Sequence, residues 1–249
     1  MAIEHDRAAW EELAALDPLW GALTTDTRHG WSAAEFLASG EREIAGLLEH
    51  ADTLGLPARR ESALDFGCGP GRLTRALARH FGSSVGVDVS PRMVEVARRL
   101  HADVENCRFV AGERALDGLG DARFDLVYSN LVLQHVSDPR AALGYVAGLA
   151  RVLAPQGLLA FQLLTRIPPL RRVQPRRRLY GALRRAGVPP GPLFRRLRLD
   201  PIGLYAVEAD RVAPALAAAG ATLIRADEAA WPGGVRSATY FATRGAEIH

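Results

Sequence analysis

The sequence predicts an α/β protein with a doubly wound, mostly parallel sheet of seven strands. From residue 61 onward, short apolar segments alternate with segments of helical periodicity. Strands that alternate with helices pair in parallel through right-handed crossovers. A glycine-rich turn at residues 67–71 follows the first apolar segment and precedes a helical one. The predicted fold also has an N-terminal helical extension and a cap insertion after the fifth strand.

Seven apolar segments are the predicted strands. They are residues 62–66, 84–88, 107–111, 124–129, 158–164, 221–226 and 235–243. Helical periodicity lies between most of them, at residues 72–81, 91–101, 139–153 and 210–219. Pro91 and Pro139 each follow a residue that can cap a helix, Ser90 and Asp138, and proline is favoured in the first turn.

Two further helices are predicted before the first strand, at residues 6–16 and 32–50. Ser32 and Glu35 have the spacing of a capping box at the start of the second helix. We therefore divide the chain into an N-terminal extension or lid, residues 1–60, and a main domain, residues 61–249. Within the main domain, residues 166–206 are the predicted arginine-rich cap insertion.

The composition excludes several kinds of site. All 31 basic residues are arginine, which excludes a lysine nucleophile, a Schiff base and a phosphate-loop lysine. The two cysteines, Cys68 and Cys107, match no metal-binding spacing and no disulfide framework. The first residues lack a signal-peptide profile, and no apolar stretch is long enough to span a membrane. We therefore expect a cytoplasmic protein without a metal site.

The glycine-rich turn could serve several nucleotide-like ligands. Glycines let the backbone adopt unusual angles and let a ligand approach closely, and the following helix adds positive charge at its N-terminus. A dinucleotide site would need glycine where Arg72 stands, and Pro70 lacks an amide donor for a pyrophosphate. A phosphate loop would need a lysine.

The pattern Asp65-x-Gly67-x-Gly69-x-Gly71 resembles the turn of class I methyltransferases that use S-adenosylmethionine (SAM) and act on small molecules. Other segments of that family follow in the same order. They are a strand that ends in Asp88, the pair at residues 112–113, the fourth-strand segment at residues 124–136 and the turn at residues 153–157. The resemblance covers residues 61–165 and implies a Rossmann-like fold with SAM as cofactor.

The resemblance also implies roles for individual residues. Asp65 and the glycine turn would hold the methionine part of SAM, Asp88 the ribose hydroxyls and Glu113 the adenine. The expected cofactor contacts are Asp65, Gly67, Cys68, Gly69, Gly71, Arg72, Asp88, Val89, Met93, Gly112, Glu113, Ser129, Asn130 and Leu131.

His135 is the candidate general base, because it follows the fourth strand and the free histidine pKa lies near neutrality. The alternative is a histidine that packs beneath the cofactor without a proton role. Trp20, Trp31 and Tyr128 are candidate acceptor contacts. The two tryptophans could instead hold the extension against the core, and Tyr128 could belong to the core.

Residues 166–200 contain eleven arginines and six prolines, and no acidic residue precedes Asp200. This segment could be a solvated face, a cap that binds an anionic acceptor through Arg171 and Arg172, or an interfacial segment on anionic lipid. Prolines and glycines interrupt the segment, which disfavours membrane contact. No motif indicates nucleic-acid binding.

The predicted function is SAM-dependent methyl transfer to oxygen or nitrogen of a small-molecule acceptor, for example in secondary metabolism. The alternative is a SAM-binding regulator or membrane-associated module without methyltransferase turnover. The sequence identifies neither the acceptor nor the oligomeric state.

Overall fold

The computed structural model describes residues 2–23, 30–112, 116, 119 and 123–245. Seven strands form one sheet in the order β3-β2-β1-β4-β5-β7-β6. All neighbours pair in parallel except β7, which runs antiparallel to β5 and β6. The strands are β1 (Ser62–Phe66), β2 (Ser83–Asp88), β3 (Cys107–Ala111), β4 (Phe124–Ser129), β5 (Leu153–Arg166), β6 (Thr222–Trp231) and β7 (Val235–Thr243). The predicted fold class is confirmed.

The helices of the described chain connect and cover these strands. They are α1 (Ala2–Leu16), α2 (Pro18–Ala22), α3 (Ala33–Thr53), α4 (Arg72–Leu77), α5 (Pro91–Leu100), α6 (Pro139–Arg151), α7 (Pro169–Arg172), α8 (Pro175–Arg185), α9 (Pro190–Arg195) and α10 (Val212–Ala218). Short 3-10 turns lie at Leu133–His135 and Ala209–Arg211. No helix among the described residues is long and apolar enough to cross a membrane.

The core lies in two layers on opposite faces of the sheet. Successive strand residues point to opposite faces, so Leu64 packs in one layer and Ala63 in the other. Helices α6 and α10 contribute to the first layer, and α3 and α4 to the second. The predicted caps form as expected: Ser32 and Glu35 make the capping box, and Ser90 accepts from the Met93 amide.

Several elements differ in length from their predicted bounds, and β6 continues to Trp231 instead of ending at residue 226. Strand β5 begins at Leu153 and ends at Arg166, because β4 pairs with its first residue and β7 pairs with it as far as Arg166. Helix α4 ends at Leu77 instead of continuing to residue 81. Pairing with β4 and β7 therefore sets the ends of β5.

The N-terminal extension and the insertion pack against each other. Trp20 and Leu13 of the extension form a buried cluster with Phe194 of α9, and the rings of Trp20 and Phe194 are 5.0 Å apart. Glu12 of α1 pairs with Arg184 of α8 at 3.3 Å. The chain then returns from the insertion to the sheet, where the Val207 amide donates to Leu164 O at 2.9 Å.

Candidate functional site

A cleft lies at the carboxyl ends of β1, β2 and β4. The strand order reverses between β1 and β4, and such a switch point is the usual ligand site of an open α/β sheet. The cleft combines an apolar wall with one carboxylate, one amide and one imidazole. The expected site residues that line it are Gly67, Gly69, Asp88, Val89, Met93, Gly112, Asn130, Leu131 and His135.

The other expected residues lie elsewhere. Asp65, Cys68, Arg72 and Ser129 are buried around the glycine turn without lining the cleft, and Gly71 caps α4. Glu113 lies outside the described residues. Residues that sequence reasoning missed also line the cleft: Trp10, Gly21, Ala22, Phe66, Val87, Val132, Val136 and Tyr145.

The glycine turn closes over the end of β2. The amides of Gly67 and Cys68 both donate to Val87 O, at 2.7 and 3.0 Å. Gly67 has φ +79°, in the left-handed region that favours glycine. A Cβ on Gly67 would overlap the side chain of Val132. Both the backbone angle and the close approach therefore require glycine at this position.

We predict that Gly67→Ala lowers the free energy of unfolding by about 2–4 kcal/mol, because it adds backbone strain to a steric overlap. Gly46→Ala is the matched control, because Gly46 lies in α3 with no heavy atom within 4 Å of the added Cβ. This control should stabilise the protein by about 0.5–1 kcal/mol. Urea unfolding measures both changes. Equal midpoints for the two variants would contradict the prediction.

Asp88 places a carboxylate at the edge of the cleft. Its two oxygens accept from the amides of Gly69 and Ser90, each at 2.8 Å. Burial raises the pKa of Asp88 to about 6, although both amide hydrogen bonds oppose the shift. A carboxylate has about four acceptor positions, so each oxygen keeps capacity for one more donor. Two neighbouring hydroxyl groups would satisfy that capacity.

Asp65 lies beneath the glycine turn and is fully buried. One oxygen accepts from Thr74 Oγ1 at 2.7 Å, and the other has no hydrogen-bond partner among the described residues. Burial raises the pKa of this carboxyl to about 7, against the hydrogen bond from Thr74 and the positive charge of Arg72. The glycine turn therefore lies above a buried carboxyl group, one oxygen of which could still accept a hydrogen bond.

Glu43 of α3 connects the extension to the turn and to β4. Its carboxylate accepts from Arg72 at 2.7 Å, from Tyr128 Oη at 3.0 Å and from Asn130 Nδ2 at 2.7 Å. Tyr128 is thus held in the core, where burial raises its pKa well above the usual value. It does not line the cleft.

Sequence reasoning missed Glu43, although one signal could have indicated it. Gly40 lies three residues earlier on the same helical face. A Cβ on Gly40 would lie 2.5 Å from Arg72 O, so this face of α3 approaches the backbone of α4 closely. An acidic residue one turn from a glycine, on the apolar face of a helix, indicates a buried cationic partner.

His135 lies in the 3-10 turn after β4 and lines the cleft. Its Nδ1 is 2.8 Å from Gly203 O, and its Nε2 is 3.1 Å from Gln134 Nε2. A carbonyl oxygen only accepts, so Nδ1 carries the proton and Nε2 is an acceptor. The ring of Trp10 stands edge-on at 5.2 Å. His135 therefore has a fixed ring orientation at the cleft wall, with Nδ1 directed at Gly203 O.

The remaining candidates lie away from the cleft. Trp20 packs on Phe194, and Trp31 Nε1 donates to Leu23 O at 3.1 Å. Arg171 and Arg172 are exposed in α7, where Arg172 Nε donates to Ile167 O. Trp10, which sequence reasoning did not select, is the tryptophan of the described extension that reaches the cleft.

Comparison with known proteins agrees with this site. Residues 64–161 match the family described as "Methyltransferase domain". A ubiquinone biosynthesis O-methyltransferase from Cereibacter sphaeroides is 34% identical over 128 residues, which are 51% of this chain and 50% of that protein. A malonyl-[acyl-carrier protein] O-methyltransferase from Hahella chejuensis is 35% identical over 134 residues, 53% of this chain and 46% of that protein. The chain spans about half the length of these curated relatives.

Two solved structures share the fold over nearly the whole chain. Magnesium protoporphyrin IX methyltransferase from Synechocystis, with bound SAM, has a TM-score of 0.62 at 16% identity and covers 98% of this chain and 97% of its own. The N-methyltransferase NodS from Bradyrhizobium japonicum, with bound S-adenosylhomocysteine, has a TM-score of 0.55 at 19% identity. The match covers 95% of this chain and 98% of NodS.

The sheet order, the glycine turn and the cleft at the switch point are those of a Rossmann-like fold, which the two solved methyltransferases share. Over residues 64–161, the chain is similar to the methyltransferase domain family. The resemblance stated from the sequence motifs is thereby confirmed.

Proposed function

We propose that this protein transfers the methyl group of SAM to an oxygen or nitrogen atom of a small-molecule acceptor. The observation that carries the proposal is a single cleft that brings together the glycine turn, the Asp88 carboxylate and the imidazole of His135. The O-methyltransferase names of the curated relatives and the N-methyltransferase name of one structural neighbour support this acceptor chemistry.

The residues of the cleft fit SAM. Gly67 and Gly69 leave the backbone uncovered for the methionine part, and Asp65 lies beneath them with an unpartnered acceptor among the described residues. Asp88 would hold the ribose hydroxyls with its remaining acceptor positions. Met93, Val89 and Gly112 would surround the adenine ring of SAM. Asn130 and Leu131 would flank its methyl group. Cys68, Gly71, Arg72 and Ser129 would support the turn from below, and Glu113 remains a proposed adenine contact.

When bound, SAM would supply an electrophilic methyl group, and its sulfur would leave as a neutral thioether when the bond to that methyl group breaks. The chain must then orient the acceptor, exclude water and remove a proton. His135 Nε2 would accept the acceptor's proton in place of its contact with Gln134 Nε2, while Gly203 O keeps the opposite nitrogen protonated. Trp10, Gly21 and Ala22 would cover the cleft, which gives the extension, residues 1–60, the role of a lid. The insertion, residues 166–206, would act as the cap that positions His135.

Trp20 and Trp31 would act indirectly, by fixing the lid through Phe194 and the Leu23 backbone. Tyr128 would act through Glu43, and Arg171 and Arg172 belong to the outer surface of the cap. We also propose a cytoplasmic location, because Cys68 and Cys107 are both free thiols and fit a reducing compartment.

We predict that Asp88→Asn weakens SAM binding by about tenfold or more, because hydroxyl hydrogen bonds to a carboxylate are stronger than those to an amide. SAM prefers the charged carboxylate, and the pKa of Asp88 is about 6. Wild-type affinity should therefore fall as the pH decreases through about 6, and the affinity of Asp88→Asn should change less. Calorimetry from pH 5 to pH 8 measures this, with Asp103→Asn at an exposed position as the control. Parallel pH profiles for wild type and Asp88→Asn would contradict the assignment.

The proposed activity is tested with methyl-labelled SAM and fractionated metabolite extract. We expect label in a low-molecular-weight product and none in a reaction without protein. Failure to bind SAM in calorimetry would overturn the proposal. Binding without label transfer to any fraction would favour a SAM-binding regulator.

A further inference from the structure

The exposed large apolar side chains of the described chain are concentrated in one region. Five of them lie in the insertion, and the sixth, Trp231, lies at the tip of the β6–β7 hairpin. The five are Leu170, Val173, Leu179, Leu197 and Leu204, and Leu170 is 87% exposed.

The hairpin tip and the start of the insertion form one surface. A Cβ on Gly233 would overlap the guanidinium of Arg171, and a Cβ on Gly234 would lie 3.3 Å from Pro168 Cγ. Within the insertion, Gln174 Nε2 donates to Leu204 O at 2.8 Å, and Arg176 donates to Arg198 O. These contacts join the start of α8 to the segment that follows α9. The apolar side chains therefore project from a connected region, which we call the insertion surface.

The charge of the chain is strongly divided. Residues 166–199 contain eleven of the 31 basic residues and none of the 28 acidic residues, so they carry +11 and the rest of the chain carries −8. Arginines are the sequence neighbours of the exposed leucines: Arg171 follows Leu170, Arg178 precedes Leu179 and Arg196 precedes Leu197. The insertion surface thus combines projecting leucines with dense positive charge.

The short helices explain how this surface is built despite the prolines. Helix α8 buries Tyr180 against Leu193 and Leu199, and Leu179 projects from the same helix at 51% exposure. A helix of this kind has an inner face that packs in the core and an exposed outer face that can contact a lipid surface. Prolines stand in the first turn of α7, α8 and α9, where they do not interrupt the helix and do not remove its outer face.

We propose that the insertion surface docks on the surface of a membrane that contains anionic lipid. Lipid phosphates complement the arginines, which bind phosphate through paired donors, and the acyl boundary accepts isolated leucines and an amphipathic tryptophan. The negative remainder of the chain would be repelled by the same surface and would orient the molecule. An acidic protein partner would complement the charge, but single projecting leucines separated by arginines form no continuous apolar patch for it.

Vesicle flotation tests this proposal without SAM or an acceptor, so its result is independent of the proposed function. We expect the protein to float with vesicles of phosphatidylcholine and phosphatidylglycerol, and to remain unbound with phosphatidylcholine alone. Raising the salt concentration should weaken the binding, because exposed charges are screened. Absence of binding to the anionic vesicles would overturn the proposal.

Two variants separate the apolar and the charged contributions. We expect Leu170→Ser with Leu179→Ser, and Arg178→Glu with Arg196→Glu, each to lower vesicle affinity by about tenfold or more. Arg99→Glu with Arg108→Glu is the charge-matched control, because both arginines are exposed on α5 and β3, at the opposite edge of the sheet. This control should bind nearly as well as wild type.

Circular dichroism and thermal melting establish that each variant is folded, and all the substituted side chains are exposed. If the folded serine variant bound the vesicles with wild-type affinity, the leucines would not enter the lipid and the proposal would be overturned. If the charge-matched control lost as much vesicle affinity, the lipid would attract the arginines of the whole chain and not the insertion surface. That result would also overturn the proposal. Sedimentation that reveals a dimer which the serine substitutions dissociate, without vesicle binding, would assign the surface to self-association instead.

Discussion

His135→Ala is expected to lower methyl-transfer turnover by about 10²–10⁴-fold, with SAM binding retained. His135 Nε2 is an acceptor on the cleft wall, and Gly203 O fixes the proton on Nδ1. Removal of the imidazole leaves no group there to accept the acceptor's proton. Single-turnover measurements with saturating SAM test the chemical step, and calorimetry tests cofactor affinity.

Two further variants separate a base from a structural histidine. His135→Gln keeps a polar side chain of similar length but cannot accept a proton, so its turnover should match that of His135→Ala. His80→Ala removes an exposed histidine after α4 and should behave as wild type. Near-normal turnover in His135→Gln would exclude the role of base.

Glu43→Ala is expected to lower the free energy of unfolding by about 3–5 kcal/mol, because it leaves a buried charge without its partner. Arg72 is 4% exposed and donates to Glu43 at 2.7 Å. The substitution also removes the acceptor used by Tyr128 and Asn130. Urea unfolding measures the loss.

Glu41→Ala is the matched control on the same helix. Glu41 pairs with Arg79 at 2.7 Å, but both side chains are exposed, so its loss should change the free energy of unfolding by about 0–1 kcal/mol. Adding Arg72→Leu to Glu43→Ala should restore part of the stability, since the unpaired charge is then absent. If Glu43→Ala and Glu41→Ala had the same midpoint, the Glu43 cluster would not hold the extension to the turn.

Local sequence patterns predicted several elements accurately. Strand β1 at Ser62–Phe66 and strand β7 at Val235–Thr243 have their predicted bounds. The capping box of Ser32 and Glu35 forms, and Asp138 accepts from the Arg140 amide as a helix cap. These features depend on residues within one turn or one strand, so their physical determinants are present in the local sequence.

Features that depend on distant contacts were predicted less well. The start of β5 at Leu153 and its end at Arg166 follow from pairing with β4 and β7. Trp10 was missed as a cleft residue, because an apolar residue on a helix does not reveal what it packs against. For Trp20 and Trp31 the sequence left acceptor contact and packing as alternatives, and the structure shows both rings in packing contacts.

The sequence by itself determined the alternation of strands and helices, the glycine turn and the position of Asp88 at the end of β2. Each of these depends on residue size, backbone freedom or periodicity along a short segment. Only the tertiary structure decided that Gly203 fixes the proton of His135 and that Glu43 holds Arg72. Those partners lie far apart in the chain, and they meet because burial of the apolar faces brings the extension and the insertion to the carboxyl ends of the strands.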